Sequence, residues 1–271
     1  MILVVDVGNT NITYGVFKGE KLVSSFRMTT GTIRTSDEYG LELLALLNIN
    51  AIDKDKLEGV MIASVVPKVM HALVNAIVKY IGKKPYLVGP GIKTGIKIAV
   101  DNPREIGPDL IVDAVAGYAL YGGPVIVVDF GTATTYIMIN EKGEFFTGVV
   151  CPGIRISAKA LWQDTAKLPE IEIKNPRSIL AKETISSMQA GLIYGQIGQS
   201  KYIISEMKRE SGLLNAKVVA TGGLGRLITD ETKEIDVYDP ILTLRGLQIL
   251  YDKNRRSKPQ LKEFENENAP E

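Results

Sequence analysis

One short pattern occurs twice in this 271-residue chain, and it limits the folds that the chain can adopt. In each copy an aliphatic run ends in Asp, which is followed by one apolar residue, a Gly and short polar residues. The first run begins at Leu3 and the second at Val125. The apolar run predicts a buried strand, and Gly lets the chain turn sharply and lets a ligand approach the backbone. Thr hydroxyls and N–H groups in such a turn bind anionic oxygens, and Asp can hold a cation. The repeat therefore predicts two related halves that face each other across a nucleotide. We call residues 6–10 the first Asp–Gly turn and residues 129–132 the second.

The segments around the two turns follow the same order along the chain. Each turn leads into a predicted meander, over residues 13–17 and 21–29 in the first copy and 136–140 and 144–150 in the second. Apolar runs predict further strands at residues 2–7, 59–66, 85–88, 125–128 and 216–220. Apolar periodicity and capping residues predict helices at residues 35–47, 68–81, 109–121, 155–164, 183–210 and 240–253. The late strand enters residues 221–223, the late glycine turn, where glycine permits the close approach of a flat ligand.

The overall charge and the apolar content narrow the class of protein. Lys and Arg number 32 against 31 Asp and Glu, so the net charge of +1 favours neither nucleic acid nor an anionic membrane surface as a partner. No apolar run approaches the ~20 residues of a membrane-spanning helix. One cysteine, Cys151, excludes an intramolecular disulfide and suits a reducing compartment. We expect a cytoplasmic protein.

The two Asp–Gly turns and the late glycine turn together resemble the superfamily of acetate and sugar kinases, heat-shock-70 chaperones and actin. In that superfamily two ribonuclease-H-like halves clasp ATP, and two hairpins hold its phosphates. The resemblance implies an α/β fold of duplicated ribonuclease-H-like halves, with mixed sheets flanked by helices. We place the halves at residues 1–115 and 116–254. Residues 255–271 are rich in charge and poor in aromatic residues, so we expect a frayed or disordered tail.

A closer resemblance, to the type III pantothenate kinases, runs from residue 1 to about residue 252. Eight segments carry it in the same order as in that family: Asp6-Val7-Gly8-Asn9-Thr10, Ala63-Ser64-Val65-Val66-Pro67, Asn102-Pro103, Gly107-Pro108-Asp109, Asp129-Phe130-Gly131-Thr132-Ala133-Thr134-Thr135, Pro152-Gly153-Ile154, Thr165-Ala166-Lys167-Leu168-Pro169 and Thr221-Gly222-Gly223. The resemblance implies ATP-dependent phosphorylation of pantothenate to 4'-phosphopantothenate, the first step of coenzyme A biosynthesis. It also implies a homodimer with the acceptor site at or near the subunit interface.

The resemblance assigns roles to particular residues. Asp109 is implied as the catalytic base that orients and deprotonates the acceptor hydroxyl. The implied acceptor contacts are Gly107, Pro108, Asp109, Leu110 and Thr184. The implied nucleotide contacts are Asp6, Val7, Gly8, Asn9, Thr10, Asn11, Ile12, Thr13 and Thr132. Asp129 is implied as the ligand of a monovalent cation, K⁺ or NH₄⁺, and Asp6 as a contact of the Mg²⁺ that accompanies ATP.

Simpler interpretations remain for three of these residues. Asp109 and Thr184 can each act as a helix N-cap, and Asp129 can cap its own turn.

The chain departs from the family pattern mainly on the acceptor side. The family motif Gly-Ala-Asp-Arg is here Gly107-Pro108-Asp109-Leu110, so the arginine expected to meet the substrate carboxylate is absent. Loss of such a pair costs roughly 2–4 kcal/mol, or about 30- to 1000-fold in affinity. Asp113 replaces the usual Asn and adds negative charge one helical turn later. Three basic residues are candidates to compensate: Arg104, Arg155 and Lys159.

These departures leave two alternatives to a pantothenate kinase. One is a paralogous kinase that acts on a neutral or cationic alcohol. The other is a regulatory protein that binds a nucleotide without turnover.

Overall fold

The computed structural model describes residues 1–256, and residues 257–271, which hold most of the expected tail, lie outside the described part. The internal contacts of the chain divide it into two compact units. Within the described residues, unit 1 comprises Met1–Gly95, Asn102–Ala116 and residues 243–256, and unit 2 comprises Ile96–Asp101 and Gly117–Leu242. Within residues 1–256, no helix is long and apolar enough to cross a membrane.

Unit 1 is built on a five-stranded mixed sheet with the strand order β3-β2-β1-β4-β5. Its strands are β1 (Ile2–Val7), β2 (Asn11–Lys18), β3 (Lys21–Thr29), β4 (Gly59–Ser64) and β5 (Tyr86–Leu87). β1, β2 and β3 form an antiparallel meander, whereas β4 runs parallel to β1 and β5 parallel to β4. β1 and β4 are almost wholly buried, as their unbroken aliphatic runs predict for strands covered on both faces.

Unit 2 is built on a six-stranded sheet with the order β11-β10-β7-β8-β9-β6. Its strands are β6 (Lys97–Ile98), β7 (Val125–Phe130), β8 (Ala133–Ile139), β9 (Glu144–Pro152), β10 (Lys217–Thr221) and β11 (Val237–Tyr238). β7, β8 and β9 form the second antiparallel meander, and β10 and β11 continue the sheet in parallel with β7. The short strand β6 extends the edge beyond β9.

The α-helices are α1 (Ser36–Ile49), α2 (Pro67–Ala76), α3 (Pro108–Tyr121), α4 (Ile154–Gln163), α5 (Thr184–Ser211), α6 (Gly225–Thr229) and α7 (Leu242–Asn254). A capping box of Thr35 and Glu38 starts α1, as its sequence predicts. The helix predicted over residues 68–81 changes at Ile77 into a short π-helix, which ends at Gly82 with a left-handed backbone. That left-handed residue stops the helix, because glycine accepts a positive φ that other residues resist.

The two sheets repeat one topology, since β9-β8-β7-β10-β11 follows the same order and directions as β3-β2-β1-β4-β5. The register repeats as well: Asp6 of β1 pairs with Thr13 of β2, and Asp129 of β7 pairs with Thr135 of β8. The predicted fold class, duplicated ribonuclease-H-like halves with mixed sheets flanked by helices, is confirmed. Each Asp–Gly turn therefore lies at the carboxyl end of the first strand of its sheet.

The last helix packs inside unit 1, where small residues make room for it. A Cβ on Gly246 would lie 2.7 Å from Val112 Cγ1, so α7 and α3 approach closely at that glycine. Gly15 of β2 faces Leu244 in the same way, at 3.2 Å. These contacts join segments that are far apart in sequence, and they complete the apolar cover of the first sheet.

Candidate functional site

The first Asp–Gly turn is held by hydrogen bonds from Thr30, the residue that follows β3. The Gly8 N–H donates to the Asn11 carbonyl at 3.0 Å, which closes the hairpin. The buried Thr30 hydroxyl donates to the Gly8 carbonyl at 2.7 Å, and the Thr30 N–H donates to the Thr10 carbonyl at 3.0 Å. Asn9 and Thr10 are exposed at the tip. The turn therefore holds a fixed shape while its polar tip faces outward.

The eight predicted nucleotide contacts at residues 6–13 lie in this hairpin, and their side chains differ in burial. The Val7 and Ile12 side chains are fully buried in the core of unit 1, so only their backbone groups can face a ligand. Asp6 is half-buried near the end of β1, and Asn11 is exposed. The polar members of the segment are thus the ones whose side chains reach the surface.

Asp109 lies in the first turn of α3, in the same unit as the first Asp–Gly turn. Its Oδ1 accepts a hydrogen bond from the Leu110 N–H at 2.9 Å and crowds the position that a Cβ on Gly107 would take. Burial raises the pKa of the Asp109 carboxyl, and the hydrogen bonds from backbone N–H groups only partly offset this rise. Because α3 begins at Pro108, Asp109 is a first-turn residue rather than the N-cap.

Contacts within unit 1 link the start of α3 to the end of β1. The Val65 N–H donates to the Val7 carbonyl at 3.1 Å, and Val65 Cγ1 lies 3.8 Å from the position of a Cβ on Gly107. A Cβ on Gly107 would overlap Asp109 Oδ1, so glycine leaves room for the Asp109 carboxylate where α3 approaches the carboxyl edge of β1 and β4. The structure therefore brings the Asp109 segment to the edge of the sheet that carries Asp6.

Leu110 and Asp113 differ in their surroundings. Leu110 is half-buried at the first turn of α3. Asp113 is only 3% exposed, and its Oδ1 accepts a hydrogen bond from the Thr243 hydroxyl of α7 at 2.7 Å. The negative charge that the sequence adds one turn after Asp109 is therefore held in a polar contact between two helices.

Glycines shape the second Asp–Gly turn, in unit 2. A Cβ on Gly131 would lie 3.0 Å from Asp129 Oδ2. A Cβ on Gly153, just before α4, would lie 2.6 Å from the Gly131 carbonyl oxygen and would also overlap the Thr132 carbonyl. The Pro152-Gly153 segment thus packs directly on this turn, in which Thr132 is half-buried.

The late glycine turn packs on the same aspartate. Gly222 has a φ of +92°, and a Cβ there would overlap Asp129 Oδ1 and lie 2.6 Å from the Phe130 carbonyl carbon. Thr221 pairs with Asp129 across β10 and β7. A Cβ on Gly223, by contrast, would have no atom of the described residues within 4 Å. The sequence predicts that a ligand can approach both glycines closely. In the structure Gly222 instead packs on Asp129 and the Phe130 backbone, and of the two only Gly223 has open space beside it.

Thr184 is exposed at the first position of α5. The N-cap is Glu183, whose side chain accepts from the Ser186 N–H in a capping box. The simpler interpretation of Thr184 as an N-cap is therefore wrong, and its hydroxyl is left for another role.

Carboxylates do not gather into a metal cluster in the described part. No group of three or more His, Cys, Asp or Glu side chains within residues 1–256 could hold a metal ion. Single carboxylates such as Asp6 and Asp129 suit ions whose other ligands come from phosphate and water, as Mg²⁺ bound to a nucleotide does.

Two solved structures share the fold of this chain. A Campylobacter jejuni protein assigned to the Baf family of transcriptional activators is 17% identical, with a TM-score of 0.58 and coverage of 94% of this chain and 100% of that one. A Sinorhizobium meliloti protein assigned as a 2-dehydro-3-deoxygalactonokinase is 12% identical, with a TM-score of 0.55 and coverage of 96% and 99%. At these identities the likeness concerns the fold, which is the duplicated ribonuclease-H-like fold.

Sequence comparison then gives the family. Residues 2–206 match the family model for type III pantothenate kinase. A type III pantothenate kinase from Agathobacter rectalis is 60% identical over 256 residues, which cover 94% of this chain and 98% of that protein. The chain belongs to the type III pantothenate kinase family.

Proposed function

We propose that this chain is an enzyme that transfers the γ-phosphoryl group of ATP to the primary hydroxyl of pantothenate and forms 4'-phosphopantothenate. The identity of 60% over almost the whole chain to a type III pantothenate kinase carries this proposal. The reaction is the first step of coenzyme A biosynthesis. Asp109 and both Asp–Gly turns, which the resemblance assigns to the chemistry, are all present.

Asp109 is the proposed catalytic base. As the new O–P bond forms and the bond between the γ-phosphorus and ADP breaks, the proton of the acceptor hydroxyl passes to the Asp109 carboxylate. Burial supports this role, because a raised pKa makes the carboxylate a stronger base than an exposed aspartate. Phosphoryl transfer needs mainly positioning and charge neutralisation, so one placed carboxylate is sufficient.

The nucleotide contacts are proposed at the two Asp–Gly turns: residues 6–13 in unit 1 and Thr132 in unit 2. The first turn supports the assignment, since the Thr30 hydroxyl fixes its backbone and Asn9 and Thr10 lie exposed at its tip. Mg²⁺, which Asp6 would hold directly or through water, supplies neutralisation of the phosphate charge when it is bound.

Asp129 is the proposed ligand of a monovalent cation, K⁺ or NH₄⁺. Its carboxylate lies between Gly131 and Gly222, and any larger side chain at Gly222 would displace it. A carboxylate held in one position by backbone contacts suits an ion that helps to neutralise the nucleotide.

The acceptor contacts are proposed at Gly107, Pro108, Asp109, Leu110 and Thr184. The exposed Thr184 hydroxyl supports its part of the proposal, because the capping of α5 is already provided by Glu183.

A homodimer is also proposed, and one face of α5 supports it. Gly191, Gly195 and Gly198 are exposed, and a Cβ on any of them would have no described atom within 4 Å. Glycine in an exposed helix interior costs about 1 kcal/mol relative to alanine, so nothing in the described part of a single chain explains the three glycines. Beside them lies a groove of about 450 Å³, and Tyr202 on the same face is 70% exposed. A second copy that packs closely on this face would account for both features.

A cytoplasmic location stays a prediction.

A kinase assay tests the proposed function. ATP, Mg²⁺ and pantothenate are supplied in sodium, potassium or ammonium salts, and 4'-phosphopantothenate is measured by mass spectrometry. We expect product with K⁺ or NH₄⁺, little product with Na⁺, and loss of product in Asp109→Asn. A chain that binds ATP but forms no product in any salt would support the regulatory alternative and overturn the proposal.

A further inference from the structure

Two tyrosines occupy equivalent positions in the two repeats. Tyr14 of β2 pairs with Val5, the residue before Asp6, and Tyr136 of β8 pairs with Val128, the residue before Asp129. Both side chains are 0% exposed. The duplicated fold thus allows a comparison within one chain, between two tyrosines at equivalent positions with different surroundings.

The two hydroxyl groups differ in their partners. The Tyr136 hydroxyl lies 2.8 Å from the Ser200 hydroxyl of α5 and accepts a hydrogen bond from Gln196 Nε2 at 3.3 Å. Gln196 Nε2 also donates to Gln199 Oε1 at 2.9 Å. The Tyr14 hydroxyl has no hydrogen-bond partner in the described part of the chain. Of these two tyrosines in the described chain, therefore, only Tyr136 joins its sheet to a helix by hydrogen bonds.

Apolar contacts and hydrogen bonds hold α5 on the second sheet in different ways. The face of α5 that packs on the second sheet contains Ile193, Ile197 and Ile204, which form non-directional contacts. Close packing of these side chains resists an axial shift of α5 through many small contacts. Hydrogen bonds to one tyrosine hydroxyl, in contrast, are satisfied in one position only, and a shift would leave buried polar groups unpaired.

We propose that Tyr136, Ser200 and Gln196 form a positioning network that sets the axial register of α5 on the second sheet and thereby places Thr184 for the acceptor. This inference rests on the proposed function, because Thr184 is a proposed acceptor contact. Ser200 lies 16 residues beyond Thr184 in one continuous helix, about 24 Å along the axis at 1.5 Å per residue. An uninterrupted helix transmits an axial shift along its length, so the contact at Ser200 contributes to the position of Thr184, together with the hydrogen bond from Gln189 Nε2 to the Glu172 carbonyl at 2.8 Å.

The test compares Tyr136→Phe with Tyr14→Phe, which remove the same atom from equivalent positions. Steady-state kinetics are measured with pantothenate and with ATP as the varied substrate. For Tyr136→Phe we expect the KM for pantothenate to rise about three- to tenfold, as loss of one neutral hydrogen bond allows, with the KM for ATP within about twofold of wild type. Tyr14→Phe should leave both constants unchanged. Equal effects of the two variants, or equal changes in both KM values, would overturn the inference.

A second comparison asks whether the network acts through Thr184. Ser200→Ala should reproduce the kinetics of Tyr136→Phe, and it replaces that variant if Tyr136→Phe does not fold. In a Thr184→Val background, Tyr136→Phe or Ser200→Ala should raise the KM for pantothenate no further. Independent, multiplicative effects would show that the network does not act through Thr184. A wild-type enzyme that forms no 4'-phosphopantothenate would instead contradict the proposed function, which the assay without variants shows separately.

Discussion

Two features of its surroundings change the pKa of Asp109 in opposite directions. Its carboxylate is partly removed from water, which raises its pKa, while backbone N–H groups of the first turn of α3 stabilise the charged form to a smaller extent. A raised pKa means that the charged carboxylate reduces the stability of the folded chain at neutral pH. This cost to stability agrees with the catalytic role proposed for Asp109, since strongly perturbed pKa values cluster at functional sites.

Asp109→Asn should therefore lower kcat about 10²- to 10⁴-fold and raise the thermal midpoint at neutral pH. The gain in stability should disappear as the pH falls below the pKa of the unfolded chain, because the carboxyl is then protonated in both states. The kcat of the wild-type enzyme should fall as the pH falls through the raised folded-state pKa. Thermal melts from pH 3 to 8 and initial rates from pH 4 to 8 measure the two effects. An unchanged kcat would remove Asp109 from its role.

Gly222 and Gly223 form a matched pair in one turn. A methyl group on Gly222 meets Asp129 and the Phe130 backbone and also requires a positive φ, so Gly222→Ala should destabilise the chain by about 2–4 kcal/mol. Gly223→Ala, where the described residues leave open space, should change stability by about 1 kcal/mol or less. Urea denaturation measures the difference. Equal effects would show that the late glycine turn does not brace Asp129.

At the scale of elements, the start of α3 carries the clearest departure from the family pattern. Leu110 occupies the position at which the family resemblance implies an arginine for the acceptor carboxylate. Arg104 is exposed in the 3₁₀ turn Pro103–Glu105 that precedes α3 in the same unit, so it remains a candidate to compensate.

Leu110→Arg should lower the KM for pantothenate at least about tenfold, because it restores a charge-assisted contact. Leu110→Met is the control, since it keeps a long side chain without the charge. If Leu110→Arg leaves the KM unchanged, another residue already meets the carboxylate. In that event Arg104→Ala should raise the KM.

At the scale of the whole molecule, the exposed glycine face of α5 is the proposed interface between two copies of the chain. On a free helix face, Gly195→Ala raises stability by about 1 kcal/mol, because alanine is the better helix former. Where a second copy packs against Gly195, the added methyl group weakens the association instead. We expect the second result, measured by analytical ultracentrifugation as dissociation of the dimer at a higher protein concentration than for wild type. A more stable variant with unchanged association would contradict the proposed interface.

Much of each unit follows from local sequence. The strands of both meanders, the helix starts at Thr35 and Pro108 and the two Asp–Gly turns depend on patterns within about ten residues. Other features do not follow from such local patterns. The two-residue strands β6 and β11 and the short helix α6 have too few residues to show a period, and they form because a neighbouring strand or turn is already present.

The sequence by itself determined the duplicated fold, the family and the residues proposed for the chemistry. Apolar periodicity, glycine at sharp turns and aspartate at strand ends are local requirements of the fold, and a short segment of sequence is enough to identify each of them. Only the tertiary structure decided that Gly222 packs on Asp129, that Asp113 pairs with Thr243 and that Tyr136, unlike Tyr14, is bonded to a helix. These contacts join residues distant in sequence, and packing in three dimensions, rather than any local preference, selects the partner.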